Sequence, residues 1–173
     1  MREPKQFFIG IDANVRPLAK ISEKICRRAE KGGAPNALFL QATAEELPEE
    51  LSGIASEVRI QFPWGSLLRS VAIADEIVLK NLRRLCRSHA RLEVIIGIDS
   101  KRDKSELQRL AVPDLSVEYV KHELPGAYET HGFRVIECQA IPSSDWPEIE
   151  STWAKKLRRR RARVLIYLHA EAT

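Results

Sequence analysis

The sequence lacks the features of a membrane span, a secretion signal and a metal site. No apolar run approaches the roughly 20 residues that cross a bilayer, and residues 1–5 lack the apolar core of a signal peptide. The three cysteines (Cys26, Cys86 and Cys138) and four histidines are scattered, without the spacing of metal ligands. We therefore expect reduced thiols, a cytoplasmic location, no membrane association and no metal.

Catalytic motifs of hydrolases and ATPases are also missing. The sequence has no Ser/His/Asp set, no paired carboxylates, no phosphate-binding loop and no zinc-binding spacing. These absences argue against a hydrolase or an ATPase. They fit a group transfer that needs no protein base.

Positive charge is present and clustered, although the net charge is only +4. Residues 155–163 contain seven cations in nine positions. Further groups lie within 20–31 and 83–87 at helical spacing, so solvated helix faces explain them well. Contiguous cations in 155–163 repel one another unless a polyanion neutralises them, and nucleic acid is the commonest such partner.

The order of apolar runs predicts one α/β domain covering residues 1–173, because buried strands alternate with helices around a parallel sheet. The predicted strands are 7–11, 36–43, 58–62, 92–98, 116–120, 132–138 and 164–168. The predicted helices are 17–31, 72–89, 101–110, 122–130 and 146–160, with a short helix or loop in 45–56.

Two tryptophans follow patterns that suit a ligand site. Trp64 lies in Phe62-Pro63-Trp64-Gly65, where Pro63 ends a strand and the indole meets the carboxyl edge of the sheet. Trp153 directly precedes the basic run, a combination that is typical of nucleic-acid stacking sites. Each tryptophan has a structural alternative: Trp64 as a lid on the core, and Trp153 on the buried face of its helix.

Asp12 and the Thr43-Ala44-Glu45 stretch follow the first two predicted strands. An acidic side chain at a strand end can bind the hydroxyls of a ribose, and small residues leave room for a flat base. Helix capping explains both stretches equally simply. The tripeptide Gly10-Ile11-Asp12 is weak evidence, because Gly97-Ile98-Asp99 repeats it.

Six sequence words, in order along nearly the whole chain, resemble the aminoglycoside-resistance 16S rRNA methyltransferases that modify N1 of adenine 1408. The most specific are Phe62-Pro63-Trp64-Gly65-Ser66-Leu67-Leu68 and Ser151-Thr152-Trp153-Ala154-Lys155-Lys156-Leu157. The others are Phe8-Ile9-Gly10-Ile11-Asp12, Lys31-Gly32-Gly33-Ala34-Pro35-Asn36, Ala42-Thr43-Ala44-Glu45-Glu46-Leu47-Pro48 and Gly132-Phe133-Arg134.

The resemblance implies a Rossmann-like class I fold, S-adenosylmethionine (SAM) as cofactor, and 16S rRNA in the 30S subunit as partner. The sequence gives no sign of the oligomeric state, and a monomer is the default expectation. It implies that Trp64 and Trp153 sandwich the flipped adenine, helped by Ser151. The implied cofactor residues are Asp12, Ala13, Thr43, Ala44, Glu45, Gln61, Ser66 and Leu67. The implied RNA-binding residues are Lys24, Arg27, Arg28, Lys31, Arg109, Lys156, Arg161 and Arg163.

The sequence departs from the family in one major respect. The family's first strand and its Gly-rich SAM loop have no counterpart before Phe7, and Ala13 stands where the family favours proline. The absent strand would pair with both the Asp12 strand and the 58–62 strand, so we expect weak or no SAM binding by these 173 residues. Alternatives are an inactive or RNA-binding remnant, or a methyltransferase for another RNA or small molecule.

Overall fold

The computed structural model describes residues 6–142, 145–146 and 163–173. Its contacts divide the chain into two compact units, Met1–Pro48 and Glu49–Thr173. The single domain expected from the sequence stays a prediction. No helix among the described residues is long and apolar enough to cross a bilayer.

The first unit contains two parallel strands and the helix that connects them. The strands run in register from Phe8 opposite Ala37 to Asp12 opposite Gln41. Leu18 of the helix is buried in the unit. The elements are β1 (Phe8–Asp12), α1 (Val15–Ile25) and β2 (Ala37–Gln41).

Helix α1 is shorter than the sequence predicted. Asn14 caps its N-terminus by accepting a hydrogen bond from the Arg16 N–H at 3.1 Å. After Ile25 the chain tightens into a 3₁₀ turn at Ala29–Lys31, which Gly32 ends with φ of 81°.

The second unit is a four-stranded mixed sheet in the order β3-β4-β6-β5. β3 and β4 are parallel, whereas β6 runs antiparallel to both β4 and β5. Most of β4 is buried, as its apolar run predicts. The strands are β3 (Ala55–Gln61), β4 (Cys86–Ile98), β5 (Phe133–Pro142) and β6 (Val164–Ala172).

The predicted alternation of strands and helices is confirmed, and all strands but one lie where the sequence placed them. Among the described residues, β1 pairs only with β2, and β3 only with β4.

Two sequence-based element assignments are wrong. The helix predicted over 72–89 is shorter, Glu76–Leu85. An earlier helix ends at Ala72, the chain breaks at Ala74, whose φ is 54°, and β4 already begins at Cys86. The strand predicted over 116–120 is absent, because Tyr119–Glu123 forms a π-helical turn that leads into the next helix. The helices of the second unit are α2 (Ser66–Ala72), α3 (Glu76–Leu85), α4 (Lys104–Arg109) and α5 (Leu124–Glu129). Most of the helix predicted over 146–160 lies outside the described residues.

Candidate functional site

Trp64 lies on a tight turn at the carboxyl end of β3. Phe62 has a φ of 54°, and its N–H donates to the carbonyl oxygen of Ile95 at 2.7 Å. Pro63 is buried, whereas Trp64 is 50% exposed. Gly65 follows with φ of 63°, a value that glycine adopts at no steric cost. The turn therefore leaves half of the indole surface open to a ligand.

The predicted cleft residues of the second unit flank this turn. Gln61 is the exposed last residue of β3, Ser66 is the exposed first residue of α2, and Leu67 is half-buried. Helix α2 is fixed in the core by the fully buried Leu68 and Val71. Trp64 and its neighbours therefore lie between two anchored elements.

The predicted ribose and adenine residues meet within the first unit. Because β1 and β2 are parallel, Asp12 and the chain after Gln41 emerge at the same edge. The Ala42 N–H donates to the Asp12 carbonyl oxygen at 3.3 Å, and Gln41 Nε2 donates to the Ala13 carbonyl oxygen at 3.3 Å. A bridge between Thr43 and Glu46 encloses Ala44 and Glu45 in a turn.

The Asp12 carboxylate is exposed at this edge. Its Oδ1 accepts the Asn14 N–H at 2.7 Å, while Asn14 itself caps α1. The capping alternative for Asp12 is therefore not what the structure shows. The structure therefore leaves the Asp12 carboxylate exposed next to the turn between Thr43 and Glu46.

Asp99, in the second Gly-Ile-Asp tripeptide, has a different environment. Its side chain is 2% exposed, and Oδ1 accepts the N–H groups of Lys101 and Arg102, both at 3.1 Å. These hydrogen bonds, that of Arg102 first, lower the pKa of Asp99. Asp99 therefore orders the loop before α4 and is not open to a ligand.

The predicted RNA-binding cations occupy three kinds of environment. Lys24, Arg27, Arg28 and Lys31 are exposed on the first unit. Arg109 is exposed but forms a two-pronged ion pair with Glu106, with N–O distances of 2.8 and 2.7 Å, which lowers the pKa of Glu106. Lys156 and Arg161 lie outside the described residues.

Arg163 is 6% exposed, which sequence reasoning did not anticipate. Its Nη1 donates to the Gly97 carbonyl oxygen at 2.8 Å and to Asp103 Oδ2 at 3.0 Å. This geometry does not support the phosphate contact predicted for Arg163, which stays a prediction. Arg83 and Arg84 also bond within the protein, to the Thr173 carbonyl oxygen and Ser52 Oγ.

The partner predicted for Trp64 cannot be placed, because Ser151 and Trp153 lie outside the described residues. Two aromatic residues that sequence reasoning gave no site role do meet beside the Trp64 turn. The rings of Phe62 and Trp146 stack with centroids 6.2 Å apart. In the sequence, the apolar character of Phe62 and Trp146 indicated that each is buried. It did not indicate that the two residues contact each other.

No metal-binding group of histidine, cysteine, aspartate or glutamate occurs in the part of the chain that the structure describes. Burial raises the pKa of both Cys86 and Cys138 to about 11, so these thiols stay protonated and are poor nucleophiles. Neither of these two buried thiols therefore fits a nucleophile.

Comparisons with known proteins identify the family. The family model NpmA, described as 16S rRNA (adenine(1408)-N(1))-methyltransferase, matches residues 1–172. A 16S rRNA (adenine(1408)-N(1))-methyltransferase of Escherichia coli is 32% identical over 158 residues, which is 91% of this chain and 72% of that protein.

Solved structures show the same relationship. The aminoglycoside resistance methyltransferase NpmB1 aligns with a TM-score of 0.83 at 41% identity, covering 99% of this chain and 78% of that chain. A mutant 16S rRNA (adenine(1408)-N(1))-methyltransferase from Catenulisporales acidiphilia, solved with cosubstrate SAM, aligns with a TM-score of 0.79 at 28% identity. It covers 95% of this chain and 74% of that chain.

These matches confirm the resemblance carried by the sequence words, and with it the Rossmann-like methyltransferase fold. Both the sequence and the structure matches extend over nearly the whole chain. The chain belongs to the 16S rRNA (adenine(1408)-N(1))-methyltransferase family.

Proposed function

We propose that this chain methylates N1 of adenine 1408 of 16S rRNA in the 30S subunit and so gives aminoglycoside resistance. The observation that carries the proposal is the half-exposed Trp64 on its left-handed turn, in a chain whose family is named for this reaction. A cytoplasmic location and a monomeric state remain part of the proposal.

The family implies SAM, whose sulfonium would supply an electrophilic methyl group. Adenine N1 would attack this carbon through its in-plane lone pair, without first losing a proton, and the methyl–sulfur bond would break to leave a neutral thioether. Asp12 would hold the ribose of SAM, and Ala13 beside it would also contact the cofactor. Thr43, Ala44 and Glu45 would frame the adenine of SAM. Gln61, Ser66 and Leu67 would line the cleft beside the reacting groups. The absence of a catalytic base among the candidate residues is consistent with this chemistry.

The contribution of the protein is then mainly orientation of the base. Trp64 would stack on one face of the extruded adenine, with Trp153 on the other face and Ser151 at its edge. Base–aromatic stacking is worth about 1–3 kcal/mol per base, and extraction of the base costs a few kcal/mol. Positive charge develops on the base during transfer, which an indole face favours.

Binding of rRNA would depend on the exposed cations. Lys24, Arg27, Arg28 and Lys31 place four cations on or just after α1. A set of this kind neutralises backbone phosphates without reading sequence, so it orients the protein on the subunit. Arg109, Lys156 and Arg161 would extend the contact.

Primer extension on 30S subunits incubated with the protein and SAM tests the proposal. We expect reverse transcriptase to stop at adenine 1408 only when both protein and SAM are present. A Trp64→Ala variant is the matched control, because it removes the stacking face and keeps the cations. Binding of 30S without modification would support an RNA-binding remnant instead, and a stop elsewhere would assign another RNA target.

Calorimetry with SAM tests the cofactor assignment separately. Any measured affinity should fall in Asp12→Ala, which removes the ribose acceptor. An equal affinity of wild type and Asp12→Ala would contradict the role of Asp12.

A further inference from the structure

Trp146 connects the core of the second unit to the Trp64 turn. Its side chain is 4% exposed and lies in a cluster with Ile95 and Leu165. The Phe62 ring packs against this cluster and stacks on the Trp146 ring, with 28° between the two planes. Phe62 in turn is separated from Trp64 by Pro63 alone. The stack therefore lies two positions along the chain from Trp64.

The backbone of Phe62 needs this support. Its φ of 54° is uncommon for any residue with a side chain and unfavourable for a bulky one. Such a conformation persists only where the surroundings hold it. The hydrogen bond to Ile95 holds the backbone of Phe62, and Trp146 holds the ring. Without the ring contact, Phe62 can return to an extended conformation and redirect Trp64.

We propose that Trp146 is a positioning residue, whose ring keeps Phe62 in the left-handed conformation that presents Trp64 to the target adenine. This inference rests on the function proposed above. In sequence, Trp146 also lies seven residues before Trp153.

The aromatic face of Trp146, and not its N–H, performs this role. Among the described residues, Trp146 Nε1 is a buried donor without a hydrogen-bond partner. A buried donor without an acceptor is unfavourable, so the indole nitrogen gives no reason for tryptophan at this position. Phenylalanine lacks the donor and keeps a stacking face, whereas leucine keeps only apolar bulk. Trp146→Phe and Trp146→Leu therefore separate stacking from simple filling of the core.

The first test follows the Trp64 indole directly, in full-length protein with ¹⁵N-labelled tryptophan. The Trp64 Nε1–H resonance is assigned by its loss in Trp64→Phe. We expect this resonance to shift in Trp146→Leu and to stay near its wild-type position in Trp146→Phe. An unchanged resonance in a folded Trp146→Leu protein would overturn the proposal.

The second test measures methylation of 30S subunits. We expect kcat to fall about tenfold to a hundredfold in Trp146→Leu, because misplacement of an orienting group has effects of this size. The KM for SAM should stay unchanged, and Trp146→Phe should stay within about threefold of the wild-type kcat, because its ring still stacks on Phe62.

A control variant distinguishes positioning from loss of stability. Phe133 is fully buried where β5 begins and belongs to no proposed site. Phe133→Leu should lower the melting temperature and leave kcat unchanged well below that temperature. An equal loss of kcat in Phe133→Leu would overturn the positioning role. If wild-type protein does not methylate 30S, the proposed function fails, and the Trp64 resonance alone decides the role of Trp146.

Discussion

Replacing Arg163 by methionine should lower stability without removing a contact to RNA. The guanidinium ties the start of β6 to the end of β4 through the Gly97 carbonyl oxygen at 2.8 Å. It also meets both carboxylate oxygens of Asp103, at 3.0 and 3.3 Å, in the turn before α4. Methionine fills much of the same volume, so the substitution removes mainly the charge and its hydrogen bonds.

The size of the effect follows from burial. The side chains of Arg163 and Asp103 are 7% and 12% exposed, so the pair is shielded from water. Removing one partner of a buried ion pair costs about 3–5 kcal/mol, because the remaining charge stays desolvated. At about 2–4 °C per kcal/mol for a chain of this size, the melting temperature should fall by roughly 6–20 °C. Combining Arg163→Met with Asp103→Asn should recover part of this loss.

Two measurements check the prediction: thermal unfolding, and the salt dependence of binding to an RNA fragment that contains adenine 1408. Each phosphate contact that is lost should reduce the slope of log K against log salt by about 0.7–0.9. Arg163→Met should leave this slope unchanged. Lys31→Ala, which removes an exposed cation, should reduce the slope and leave the melting temperature unchanged.

The opposite pattern would refute the reasoning. Suppose that Arg163→Met melts like the wild type and that its slope of log K against log salt falls. Arg163 would then contact phosphate when RNA binds, and would not stay buried against Asp103 in the complex. If both quantities fall, Arg163 supports the fold and also binds RNA. That result would contradict the expectation that its guanidinium stays with Asp103.

Other substitutions test the remaining parts of the site. Trp64→Ala should slow methylation roughly 5- to 150-fold, the equivalent of about 1–3 kcal/mol of lost stacking. Trp64→Phe should slow methylation less, and a Trp64→Ala rate equal to that of the wild type would contradict stacking. Asp12→Asn should weaken SAM binding in calorimetry without changing the melting temperature. Asp99, with its lowered pKa, stabilises the fold above its unfolded pKa of about 3.9, and this stability is lost as pH falls through the folded pKa. Melting temperatures across pH should therefore fall less steeply in acid for Asp99→Asn. Gly33→Ala places Cβ 1.7 Å from a backbone oxygen and should lower the melting temperature more than Gly32→Ala, whose Cβ meets nothing within 4 Å.

Local sequence signals predicted most of the fold because burial imposes a period on each element. The apolar runs of β1, β2 and β4 could be recognised in the sequence without knowing which strands pair. The break at Ala74 was not visible, because a left-handed alanine has no signature of its own. The chain over 116–120 alternates like a strand, but packing favours the π-helical turn that begins at Tyr119. Tertiary contacts overrode local preference there.

The sequence predicted those parts of the candidate site that depend on single residues with distinctive neighbours. Trp64 stands out because proline and glycine flank it, and Asp12 because it ends a strand. The stack of Phe62 on Trp146 was not predictable, since its partners are 84 positions apart and neither is unusual alone. The burial of Arg163 was not predictable for a related reason. In sequence Arg163 belongs to a basic run, but its partner Asp103 is 60 positions away.

The two Gly-Ile-Asp tripeptides show why a strand-end carboxylate needs its surroundings to be interpreted. After β1, Asn14 caps the following helix, so the exposed Asp12 carboxylate is not consumed by capping. After β4, the chain turns directly into the loop before α4, and its N–H groups close on Asp99. The residues that follow each aspartate therefore differ. Asp12 is followed two positions later by an asparagine that caps the helix, whereas Asp99 is followed by a charged loop, and only the Asp12 carboxylate faces solvent. Whether a strand-end carboxylate is open to a ligand therefore depends on how the chain after the strand is capped, and not on the tripeptide.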